Sequence, residues 1–135
     1  MSEGGAGRSS VHMEPPDIFV WTLFGDVDVD QMRELADLQE RLSKGMPIFV
    51  LLDVTNLVSV SADARKEGVR KRDVNVLGTA YVGASVHIRV IATLVDKAAS
   101  VLYRKKVAPA RFFSSKAEAL AWFAERRGEL SKDSI

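Results

Sequence analysis

Residues 47–65 read PIFVLLDVTNLVSVSADAR. From Pro47 to Val54 the segment is apolar at odd and even positions alike, with Asp53 the exception. A strand with one wet face alternates, whereas a strand covered on both faces does not. The segment therefore reads as a central strand of a parallel sheet, with Asp53 at its C-terminal end. Thr55-Asn56-Leu57 reads as a loop. Ser61 reads as the N-cap of a helix from Ala62 to about Val74, which carries the basic run Arg65, Lys66, Arg70, Lys71 and Arg72.

Upstream, Asp17 to Asp26 places Ile18, Val20 and Phe24 on one face and Phe19, Trp21 and Leu23 on the other. This is a second strand covered on both sides, ended by Gly25. Val11 to Glu14 reads as a short edge strand ahead of Pro15-Pro16. Asp28 and Gln31 have capping-box spacing, and Val29, Met32, Leu35, Leu38 and Leu42 follow as one helical stripe. Gly45 and Pro47 close that helix.

Downstream, Gly78 to Ser85 reads as a short strand with a glycine turn. Val86 to Leu102 has the β-branched content of a strand but helical spacing at Ile88, Ile91, Val95, Ala98 and Leu102, and its length favours a helix. Val107 to Phe113 reads as an edge strand. Ser115 and Glu118 then have capping-box spacing ahead of a helix buried through Ala119, Trp122, Phe123 and Leu130. The order β-β-α-β-α-β-α-β-α implies one α/β domain with a mixed, mostly parallel sheet of about five strands and four helices. Its expected span is 11–130, between a disordered tail over 1–10 and a flexible end over 131–135.

Composition narrows the chemistry. Nineteen Lys+Arg against 18 Asp+Glu leave a net charge of +1, with no reason to expect nucleic acid. With no cysteine there is no disulfide, zinc–thiolate site or Cys nucleophile. His12 and His87 alone offer little for a metal. Gly78 to Ser85 has Ala84 where a phosphate-cradling loop needs Lys, and Asp26, Asp28 and Asp30 lack the Gly and Glu of a calcium loop. No apolar run reaches membrane-span length, and no signal peptide is visible, so the cytoplasm is the expected compartment. Catalytic residues, metal ligands and cofactors are therefore expected to be none.

The stretch LLDVTNLVSVSADAR, 51–65, resembles the STAS domain of anti-sigma factor antagonists and, more closely, its STAS-like (SpoIIAA-like) relatives. There a strand ending in Asp leads through a short loop to a helix starting near Ser/Asp. VGAS at 82–85 with Arg89, and RFFSSKAEALAWF at 111–123, are similar to two further stretches of those relatives, so that the resemblance spans residues 11–128. It implies a helix over 86–102, a SpoIIAA-like fold, and a non-catalytic regulatory or binding module. The docking face would be the 55–65 loop and helix start with the 83–89 turn: Asp53, Ser59, Ser61, Asp63, Arg65, Gly83, Ser85 and Arg89. Its occupant would be a protein partner or a small anionic or apolar ligand, with Arg65 pairing a carboxylate such as Asp53. At the phosphoacceptor position of the antagonists this chain has Asp63, which speaks against phosphoswitching and leaves Ser59 and Ser61 as the alternatives. A second alternative, by analogy with Sec14-like domains, is a carrier of lipid or another hydrophobic small molecule. That needs an apolar pocket, for which 135 residues leave little room. A homodimer is compatible with so small a domain.

Overall fold

The computed structural model describes residues 4–6, 9–70, 72–103 and 108–133. Its elements are β1 (Gly4–Ala6), β2 (Ser9–Glu14), β3 (Ile18–Val27), α1 (Val29–Ser43), β4 (Pro47–Val60), α2 (Ala62–Gly68), β5 (Asn75–Val82), α3 (Val86–Tyr103), β6 (Ala110–Phe113) and α4 (Lys116–Asp133). The strands form one six-stranded sheet in sequence order. β1, β2 and β3 pair antiparallel, while β3 to β6 pair parallel. The mixed, mostly parallel sheet with four helices is the expected α/β fold, with β1 as an added strand inside the stretch read as tail. Ser9, also in that stretch, is buried and its hydroxyl accepts from Phe24 N at 2.9 Å.

Because β3 to β6 are laid down in order and in one direction, right-handed crossovers put α1, α2 and α3 on one face. That face packs Phe19, Trp21, Leu23, Ile48, Val50 and Val54 against Leu35 of α1 and Ile88 of α3. The other face packs Val20, Phe49, Leu51 and Ala80 against Ala119, Trp122 and Phe123 of α4. The unbroken apolar runs of β3 and β4 are thus explained by helices on both sides.

Several boundaries differ from expectation. β3 runs through Gly25, which takes φ +63° at a register shift, and ends at Val27. β4 continues through Thr55-Asn56-Leu57 to Val60, because the extended β3 supplies partners as far as Val27↔Val60. α2 stops at Gly68 instead of near Val74, and β5 starts at Asn75 instead of Gly78. The edge strand begins at Ala110, and Val107 lies outside the described residues. α4 reaches Asp133, into the stretch expected as a flexible end.

The local signals hold. Asp28 accepts from Gln31 N at 2.9 Å while Gln31 Oε1 accepts from Asp28 N at 3.1 Å, a complete capping box. Ser115 Oγ accepts from Glu118 N at 3.2 Å at the start of α4.

Candidate functional site

The helix-covered face of the sheet is not filled. Between the sheet floor, α2 with the segment after it, and α3 lies a cleft of about 540 Å³. Its floor is Trp21, Val50, Leu52 and Tyr81, and its α3 wall is Ile88, Ile91, Val95 and Ala99. Leu57, Val60 and Val69 close the opposite side. The walls are mainly aliphatic, so the space suits an apolar occupant. The cleft arises from the run-on of β4, which carries Leu57 and Val60 beyond the end of β5 and sets α2 apart from α3.

Tyr81 and Asp96 are two of the polar groups in this largely apolar lining, which also includes Arg65, Arg70, Arg72, Asn75 and Thr79. Tyr81 is buried and stacks on Phe112 with centroids 5.0 Å apart. Burial, and then the charge of Asp96, push its phenol well above the ordinary tyrosine value. Asp96 projects from α3 into the cleft wall, where desolvation raises its carboxyl above the usual aspartate value.

The wall formed by Val69, Arg70, Arg72 and Val74 is held by ions. Glu67, nearly buried, is the hub: Arg72 Nη2 lies 2.6 Å from its Oε2, Arg33 Nε 3.3 Å from Oε1, and Arg70 Nη1 3.4 Å from Oε2. Arg72 also reaches Asp37 of α1 at 2.9 Å, and Glu40 Oε2 accepts from Asp73 N at 2.6 Å. The hydrogen bond from Arg72 leads the causes that hold the Glu67 carboxyl below its ordinary value. Two residues of the basic run, Arg70 and Arg72, therefore join Arg33 in clamping one carboxylate, and Lys71 lies outside the described residues.

The expected docking residues take up local roles. Asp53 Oδ1 accepts from Thr55 N at 3.1 Å and from Thr55 Oγ1 at 2.7 Å. Arg65, expected to pair with it, instead donates from Nη1 to the Val60 carbonyl at 2.8 Å and lines the cleft. Ser59 Oγ donates to Asp26 Oδ1 at 2.6 Å. Ser61 caps α2 by accepting from Ala64 N at 3.1 Å, and Ser85 accepts from Ile88 N at 3.2 Å at the start of α3. Asp63 is exposed in the first turn of α2. Gly83, at φ +75°, packs on Thr55, and Arg89 lies over Phe112 at 5.0 Å. The contact of Gly83 with Thr55 does bring the 55 and 83 segments together. Glu67, Tyr81 and Asp96 were missed. A lone acid within the apolar run 86–102 was the available signal for Asp96.

A family model described as a domain of unknown function, DUF7793, matches residues 18–127. No curated protein matches the chain. Among solved structures, an uncharacterised protein of the DUF3478 family from Shewanella loihica PV-4, with a SpoIIAA-like fold, is similar. It has a TM-score of 0.60 and 19% identity, over 89% of this chain and 94% of that one. The anti-sigma factor antagonist SpoIIAA in its unphosphorylated form has a TM-score of 0.51 and 14% identity, over 86% and 97%. The fold is thus SpoIIAA-like, as the resemblance implied.

Proposed function

The chain belongs to the DUF7793 family, and from that premise we propose that it is a non-catalytic binding module that takes an apolar small molecule into the cleft beneath α3. The cleft itself carries this reading. Its volume of about 540 Å³ falls within the range of small-molecule sites, and its walls are aliphatic and aromatic. The single-domain chain was expected to leave little room for such a space, yet the run-on of β4 and the clamp of Arg72 on Glu67 leave it open. Tyr81, Asp96 and the lining arginines Arg65, Arg70 and Arg72 are among the groups available to a polar end of the ligand.

Partner docking at the 55–65 and 83–89 face is the regulatory output in this reading. Arg65 belongs to both regions, since it lines the cleft and ties down the end of β4. The hydroxyls of Ser59 and Ser61 are both engaged within the fold, and no observation favours either as a phosphoacceptor.

Native mass spectrometry tests the reading. The purified chain is expected to carry a bound mass removed by organic extraction, or to take up one equivalent of added decanoate. A chain that shows neither, while remaining folded by circular dichroism, contradicts the proposal.

A further inference from the structure

The outward side of α3 is as apolar as its inward side. Val86, Val90, Leu94 and Val101 are 80%, 55%, 60% and 78% exposed, whereas Ile88 and Ala92 on the opposite side are buried. At 100° per residue the four exposed side chains fall on one stripe, and Lys97 falls among them. The sole acid of α3, Asp96, faces the cleft. The exposed stripe therefore combines aliphatic side chains with positive charge and no negative charge.

We propose that α3 is a membrane-docking helix that lies in the plane of an anionic lipid surface. The charge pattern favours a bilayer over the other occupants. A second copy meeting on this stripe would bury two Lys97 ammonium groups with no acid from either helix to pair them. A protein groove recognises aromatic and arginine anchors seated in pockets, and the four exposed stripe residues are valine and leucine. A bilayer asks only for apolar contact, and Lys97 can extend its stem along the helix to reach lipid phosphates. No described helix is long and apolar enough to cross a membrane, so α3 lies on the surface. This inference goes beyond the ligand reading and stands on the other side of the helix.

Co-sedimentation with vesicles tests it, using phosphatidylcholine alone and phosphatidylcholine with about a third phosphatidylglycerol. The full chain is expected to pellet with the anionic vesicles, less so at high salt. Val90→Asp with Leu94→Asp is expected to weaken binding at least about tenfold, while circular dichroism stays unchanged. Lys97→Glu, which leaves the stripe intact, is expected to lose the preference for anionic vesicles. Ala99→Phe, on the cleft side, is expected to bind vesicles like wild type, which separates this test from that of the ligand. The proposal is overturned if the chain pellets with neither vesicle, or if the stripe variants bind unchanged. It is equally overturned if the stripe variants instead turn a dimer into a monomer, or if an acidic amphipathic peptide binds the stripe where vesicles do not.

Discussion

Arg72 Nη2 stands 2.6 Å from Glu67 Oε2, and both side chains are less than a tenth exposed. This pair joins the end of α2 to the segment that returns to β5, and Asp37 extends it to α1. One wall of the cleft therefore depends on a buried ion pair instead of on apolar packing. Removal of one partner leaves the other charged and desolvated, which costs more than the pair contributes.

Glu67→Ala is expected to destabilise the fold by about 2 kcal/mol, with Arg72→Ala similar and the double variant far from additive. Urea unfolding of the four proteins measures this. The pair also gives a pH signature. The Glu67 carboxyl is held below its ordinary value, so its contribution is present above the unfolded value and fades as pH falls through the folded one. Wild type is expected to lose stability in acid more steeply than Glu67→Ala.

Gly83 takes φ +75°, and a Cβ there would stand 2.2 Å from Thr55 Oγ1. Gly83→Ala is expected to cost about 2–4 kcal/mol from backbone strain and overlap together. Thr55→Ala in the same chain recovers only part of this, because the backbone strain remains. Thermal melts of the single and double variants check the partition.

Ala99 lines the cleft and Ala80 is fully buried on the opposite face of the sheet. Ala99→Phe is expected to leave stability within about 1 kcal/mol of wild type, since the ring enters empty space, and to abolish ligand uptake. Ala80→Phe forces a ring into packed core and is expected to cost about 1–3 kcal/mol or more. Melting temperatures and decanoate uptake read both effects.

Much of this was legible where the determinants are local. Asp28 with Gln31, and Ser115 with Glu118, announce helix starts by hydrogen bonds within three residues, so sequence spacing suffices. The polar second half of β4 has no such mark. Thr55, Asn56 and Ser59 look like loop residues, and they are strand because the bulge at Gly25 lets β3 continue beside them. The cleft follows from that run-on, which pairs residues more than thirty positions apart, and from the ion clamp, whose links to Arg33 and Asp37 of α1 span a similar separation. Glu67 was hidden for a different reason: two of its arginine partners are close in sequence, but an acid in a basic run has the pattern of a solvated face. Ser61 was legible as an N-cap and bonds as one, but spacing alone could not show that the side chains of Asp53, Ser59 and Ser85 also bond within the fold.

Asp96 should reveal its surroundings through pH. Desolvation raises its carboxyl above the unfolded value, so the fold is penalised once pH passes through the unfolded value, and fully so above the folded one. Asp96→Asn is expected to raise the melting temperature at neutral pH, with the gain disappearing in acid where the wild-type carboxyl is protonated.

The most direct measurement uses the two tryptophans, which lie on opposite faces of the sheet. Trp21 forms the cleft floor, and Trp122, on α4, packs against the other face. Titration of Trp122→Phe with a brominated medium-chain fatty acid, which quenches indole on contact, reports on Trp21 alone, and Trp21→Phe reports on Trp122. Saturable quenching of Trp21 with little effect on Trp122 is the result expected of an apolar ligand in the cleft. Quenching of neither, or of both equally, contradicts it.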